Sequence, residues 1–200
     1  MQAAFSQFLG NISRVRTLGV LHTTLTRLTT PAIDASDILR AQIVMAVSAL
    51  DLYIHEITLV GMLEVYYGKR AQTPAFKKFG VTIDTVLQNA QNVRNNSWFE
   101  SIIREKLGYQ AFQQPDKIAD TIRFFSNIRL WRRISVNLGI AESDLKNRLH
   151  LIIDRRNKIV HEADLDPSYP GVRWPISDAD VNTSIDFIGQ VCGAISQIIT

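Results

Sequence analysis

The chain has 200 residues, 46% apolar and 20% charged, with a net charge of +3 and one cysteine, Cys192. That composition excludes a disordered segment, and a single thiol excludes an intramolecular disulfide framework or a thiolate zinc site. No uninterrupted apolar run approaches the roughly 20 residues that cross a bilayer. The first 28 residues carry Arg14, Arg16 and Arg27 among apolar positions, which is not the pattern of a signal peptide. The expectation is one domain over residues 1–200, in a reducing cytoplasm and away from membranes.

Helical periodicity dominates from the start. A first helix is predicted over Gln2 to Leu28. After Pro31, a second runs from about Ser36 to Tyr67 with Leu39, Ile43, Ala46, Leu50, Ile54, Ile57 and Val60 at spacings of three and four. Ser36 or Asp37 can cap it. Shorter helices are predicted near 82–91, 97–111 and 115–133. Ser97 and Glu100 have capping-box spacing, and Pro115 suits a first helical turn. Gly139 breaks the pattern, Ser143 starts a helix that ends near His161, and a loop rich in Asp, Pro and Tyr spans 165–176. Ser177 caps a final helix to about Ile198, with Val181, Ile185, Ile188, Cys192 and Ile195 on one face. Strand-like alternation is short and isolated. The predicted fold is all-α, an antiparallel helical bundle with short helices inserted between the second and third long helices.

Charge is distributed unevenly along this frame. Residues 1–120 hold 12 Lys/Arg against 10 Asp/Glu, residues 121–158 hold nine against three, and residues 159–200 hold one against six. The basic block contains Arg129, Arg132, Arg133, Arg155, Arg156 and Lys158. It reads either as a solvated helix face or as a surface that attracts a polyanion. It ends in Asp154-Arg155-Arg156-Asn157-Lys158-Ile159-Val160-His161-Glu162. Arg156 and His161 have four residues between them, and Arg155 offers the same pattern with five. An arginine keeps its proton and presents a fork of donors to phosphate oxygens, while histidine can take and give a proton near neutral pH. On an ideal helix Leu145, Leu149, Ile152 and Arg156 share the apolar stripe, so Arg156 requires an acidic partner, a subunit interface or an anionic ligand. Asn157 and His161 share a face at the stripe's edge. The plain alternative is an interfacial arginine with a helix-terminal histidine, a placement the helix dipole favours.

This run resembles the Arg-x4-6-His signature of the HEPN superfamily. Val47-Ser48-Ala49-Leu50-Asp51-Leu52-Tyr53-Ile54-His55-Glu56 is similar to the second-helix segment of its RiboL-PSP type. Trp131-Arg132-Arg133-Ile134, Leu145-Lys146-Asn147-Arg148-Leu149 and the motif helix follow that type's C-terminal half. Residues 70–115 show no match that can be named. The resemblance implies a metal-independent RNA endonuclease, a toxin or defence effector, acting as a homodimer whose two motifs form one composite site. It implies that His161 is the general acid or base, that Arg156 stabilises the phosphate, and that Asn157 orients the site. Asn157 directly after Arg156 favours Arg156 over Arg155. The products would be a 2′,3′-cyclic phosphate and a 5′-hydroxyl. RNA is the expected substrate, contacted by Arg129, Arg132, Arg133 and Lys158; an antitoxin or regulatory protein is a further expected partner, and no cofactor is expected. The alternative is a non-catalytic HEPN module that binds RNA, nucleotide or a partner protein.

Ser48, Asp51, His55 and Thr58 form a polar strip on the second helix. It is either a solvated face or a means for Asp51 to position His161 or Arg156. His22 and His150 read as ordinary surface or core residues, and Trp131 and Trp174 as core packing or base-stacking platforms. Other chemistries lack their signatures. The chain has no Glu-x-x-His, no His-Glu-x-x-His, no Walker loop and no Gly-x-Gly-x-x-Gly, and Glu162 rather than Asp follows His161.

Overall fold

A long stretch free of proline, rich in aliphatics and interrupted by a single glycine forms the helix around which the others pack. In a computed structural model that describes residues 1–30, 32–90 and 97–199, α2 (Ser36–Tyr66) follows α1 (Gln2–Leu28). Five short helices come next: α3 (Pro74–Lys77), α4 (Ile83–Ala90), α5 (Ser97–Leu107), α6 (Pro115–Ile122) and α7 (Leu130–Leu138). The long α8 (Glu142–His161) and α9 (Asp178–Ile199) complete the chain. Among the described residues the only strand-like pairing is an isolated bridge between Leu165 and Arg173. The architecture is therefore the all-α bundle with an insertion of short helices between the second and third long ones. Pro31, expected to resist a helix, and residue 91, the expected end of the helix near 82–91, lie outside the described residues.

Sixteen of the 31 residues of α2 are buried, on nearly every side, because α1, α5, α6, α8 and α9 all pack against it. Its length and apolar composition would suffice to cross a membrane, yet its apolar side chains form the centre of the bundle. Side chains such as Leu50, Ile54, Ile57 and Met62 are completely enclosed, and each contributes about 1.5–3 kcal/mol on burial. α1 lies antiparallel on α2. Phe5 and Phe8 surround the Tyr53 ring near one end, and Gln42 donates to the Val15 carbonyl at 3.0 Å nearer the other.

Three local expectations change. The stretch 115–133 is two helices, because residues 123–129 turn inward and bury Phe125 against α2. Gly61 makes this possible: a Cβ there would lie 2.2 Å from Phe125 Cγ. Neither Ser36 nor Asp37 caps α2, whose N-cap residue is Ala35 without a side-chain cap; just before it, the Asp34 carboxylate accepts the Ser36 N–H at 2.8 Å. Hydrogen bonds from Ser36, side chain first and then backbone, hold the Asp34 carboxyl below the usual aspartate range. α8 begins at Glu142, one residue before Ser143, without a side-chain cap. Other punctuation holds. Gly139 ends α7 in the left-handed conformation, Pro115 opens α6, and Ser177 Oγ accepts the Asp180 N–H at the start of α9.

Gly61→Ala is expected to destabilise the protein by about 1–3 kcal/mol, since the added methyl collides with a buried ring. Gly10→Ala, in an open stretch of α1 with nothing near its Cβ, should instead stabilise by up to about 1 kcal/mol. Chemical denaturation of the two variants checks both signs.

Candidate active site at the end of α8

The stripe of α8 buries Leu145, Leu149 and Ile152 against the bundle, and one turn later the same stripe presents Arg156. Arg156 is only partly buried. Its Nη1 donates to Asn157 Oδ1 at 3.1 Å, and its Nε is enclosed without a partner among the described residues. No described carboxylate pairs with it. His161, the last residue of the helix, is exposed, and Asn157 stands one turn before it on the same side. The Lys158 ammonium lies 5.1 Å from the centre of the Trp174 ring, a cation–π distance. Arg156, Asn157, Lys158 and His161 thus share one helix end, at the boundary between core and solvent.

The adjacent arginine has a different fate. Arg155 Nη2 donates to Asp164 Oδ2 at 2.7 Å and to the carbonyls of Trp174 and Pro175. Asp164 is wholly buried, and Arg40 Nε from the first turns of α2 binds the same oxygen at 2.7 Å. Arg40 also donates to Ser36 Oγ at 2.6 Å and to the Trp174 carbonyl at 3.0 Å. Burial lowers the Arg155 pKa from its ordinary value, against the opposing pull of Asp164; an arginine stays cationic regardless. Arg155 is therefore not the solvated side chain that its plain reading supposes. Its Nη2 is committed to the fold, whereas Arg156 bonds only to the neighbouring Asn157.

The backbone is strained to reach this arrangement. Ala163 and Asp164 have φ of 51° and 59°, a conformation that costs an L-residue about 1–2 kcal/mol. This left-handed pair ends α8 directly after the motif and turns the Asp164 carboxylate inward. The N–H groups of Glu162 and Asp164 both bond to the Lys158 carbonyl at 3.0 Å, and Trp174 N–H bonds to the Asp164 carbonyl at 2.9 Å. Asp164 and Arg40 carry no motif. The one hint in the sequence is that aspartate tolerates the left-handed region better than most residues.

Other expected site residues lie elsewhere. Asp51 does not position the motif: it accepts the Phe112 N–H at 2.6 Å. It also sits about 16 Å along α2 from Arg40 at 1.5 Å per residue. His55 reaches the Gln110 carbonyl at 3.0 Å, and Thr58 is buried with its hydroxyl on the Ile54 carbonyl. The polar strip thus divides: Asp51 and His55 anchor the connection between α5 and α6, Thr58 bonds within its own helix, and Ser48 is exposed. Arg129 and Arg132 line a cavity with Glu142 and Lys146 at the opposite end of α8, with Arg133 on the same turn. Trp131 is buried with its indole N–H on the Pro115 carbonyl, so it offers no stacking face. His22 is not a solitary histidine, since its Nδ1 lies 2.9 Å from Asp178. Among the described residues no three His, Cys, Asp or Glu side chains converge to hold a metal.

Asp164→Ala should cost about 3–5 kcal/mol, because it leaves two largely buried guanidiniums without their carboxylate. Asp37→Ala removes an exposed partner of Arg173 and Arg40 and should change stability by less than about 1 kcal/mol. Thermal melts of both variants test the ranking.

In comparisons with known proteins, the model of the RiboL-PSP-HEPN family matches residues 11–200. No curated protein and no solved structure matches the chain.

Proposed function

The chain belongs to the RiboL-PSP-HEPN family, and from that membership we propose that it is a metal-independent RNA endonuclease whose working pair is Arg156 and His161. HEPN domains serve as ribonucleases or nucleotide-binding modules, and one observation favours the enzyme here. A cation without a described acidic partner stands five residues before an exposed histidine at the end of one helix, while the neighbouring Arg155 is tied to Asp164.

In the proposed reaction the ribose 2′-hydroxyl attacks the adjacent phosphorus. The bond from the 2′-oxygen to phosphorus forms as the bond to the 5′-oxygen breaks. His161 takes the 2′ proton or supplies one to the departing 5′-oxygen. Arg156 places its donors on the non-bridging oxygens, where negative charge builds. Asn157, in contact with Arg156, keeps that guanidinium oriented. The products are a 2′,3′-cyclic phosphate and a 5′-hydroxyl. One histidine per motif serves one of the two proton transfers, so a pair of chains meeting at this helix end supplies both. The unpartnered Arg156 Nε and the exposed Leu151 and Val160 on α8 support such a homodimer. A toxin or defence role in the cytoplasm, with an antitoxin or regulator as partner, fits this activity. The second reading is a HEPN module that binds RNA, nucleotide or a partner protein without cleaving.

His161→Ala and Arg156→Ala are each expected to lower turnover by about 100-fold or more. His161→Ala should stay folded, because its side chain is exposed at a helix end. Activity should persist in chelator; loss that only one added metal restores would refute metal independence. A folded His161→Ala protein that cleaves RNA at the wild-type rate would overturn the mechanism in favour of the binding module. Sedimentation at micromolar concentration should give a dimer that Arg156→Glu weakens, and a monomeric wild type would remove the composite site.

A further inference from the structure

A cavity of about 590 Å3 lies between α6, the first turn of α7 and the start of α8. Its wall carries four cations, Arg123, Arg129, Arg132 and Lys146, against three acids, Asp116, Asp120 and Glu142. All three acids have partners. Asp120 is bound by Arg123, and Lys146 lies 3.1 Å from Glu142 and 3.8 Å from Asp116. The guanidinium groups of Arg129 and Arg132 make no hydrogen bond or ion pair with any described residue, and neither does that of Arg133 beside them. Several arginines elsewhere are paired, as with Arg16 and Asp186, Arg70 and Glu64, or Arg104 and Glu56.

Folding stability alone does not favour this arrangement. The first turn of a helix is the positive end of its dipole, where acidic side chains stabilise and cations destabilise. α7 has Arg129 at its N-cap position, Arg132 and Arg133 just inside, no acidic residue in that turn and no side-chain cap. The unsatisfied capacity of this cavity is cationic, and an anion lodged there removes the repulsion. Guanidinium forks match phosphate oxygens in particular.

We infer that the cavity lined by Arg129 and Arg132 is a second phosphate-binding site, remote from the Arg156–His161 pair, which holds an RNA strand away from the scissile bond. The assignment to RNA rests on the ribonuclease reading; the phosphate chemistry does not. Along α8, Lys146 and His161 are about 22 Å apart at 1.5 Å per residue. At a rise of 3.4 Å per stacked nucleotide, a strand needs about seven nucleotides to reach both sites. Oligonucleotide length is therefore the discriminating variable.

The test measures binding of 2′-O-methyl oligoribonucleotides of four and twelve residues, which lack the attacking hydroxyl and stay intact. The wild type should bind the twelve-residue strand at least about ten-fold more tightly than the four-residue strand. Arg129→Ala/Arg132→Ala should abolish that advantage and reduce the salt slope by about 1.4, at about 0.7 per phosphate contact. Its Tm should be unchanged or higher, since positive charge leaves a positive helix end. Arg14→Ala/Arg27→Ala removes the same charge from exposed positions on α1 and should keep the advantage. If the cavity variant keeps it, or the α1 variant loses as much, the site is overturned. A parallel titration uses AMP and inorganic phosphate. Binding of these that needs Arg129 and Arg132, without any length advantage, would mean a free-nucleotide site and overturn the RNA assignment. A wild type that cleaves no RNA yet shows the arginine-dependent advantage would refute the nuclease reading and leave this site standing.

Discussion

The buried carboxylate of Asp164 is the constraint from which the geometry at the motif end of the bundle follows. A lone carboxylate removed from water is very unfavourable, and so is a lone guanidinium; they become tolerable only together. Here two guanidiniums meet Asp164 Oδ2, while Oδ1 is enclosed without a partner among the described residues. Asp164 binds Arg40 at the start of α2 and Arg155 near the end of α8. Both arginines also reach the carbonyl of Trp174, in the loop that leads to α9. Two long helices and the connection to a third are therefore fixed relative to one another at one point. The left-handed pair at Ala163 and Asp164 persists because this network stabilises it against its intrinsic cost.

That network also separates two consecutive arginines, one held in the fold and one left at its edge. Adjacent helical residues point about 100° apart, so Arg155 and Arg156 cannot face the same partner. Arg155 turns toward Asp164, and Arg156 continues the apolar stripe to its solvent edge. Because the network holds the last turns of α8 rigidly, Arg156, Asn157 and His161 stand on a fixed support even though His161 itself is exposed. Preorganisation of this kind comes from the residues behind a site.

α8 acts as a spacer as well. The basic block is continuous in sequence, yet folding sends its α7 arginines to one end of α8 and the motif to the other. A polyanion that touches both must be extended, whereas a mononucleotide can occupy only one. Meanwhile Asp51 and His55, which look chemically capable, hold the main chain of residues 110–112 in place. Backbone N–H and carbonyl groups outside a helix need partners, and Asp51 and His55 supply them for this segment.

The sequence by itself determined the helical class, the limits of α1, α2 and α9, the stripe of α8 and the grouping of Arg156, Asn157 and His161. All of these depend on periodicity or on spacing within one helix, where neighbours in space are three or four residues apart. Tertiary structure alone decided which arginine remains free, because Asp164 lies nine residues from Arg155 and 124 from Arg40. It also decided the split of 115–133, which depends on Phe125 meeting Gly61 across the core, and the separation of the α7 arginines from the motif. Contacts between distant segments leave no periodic trace along a single chain, so only the folded arrangement reveals them.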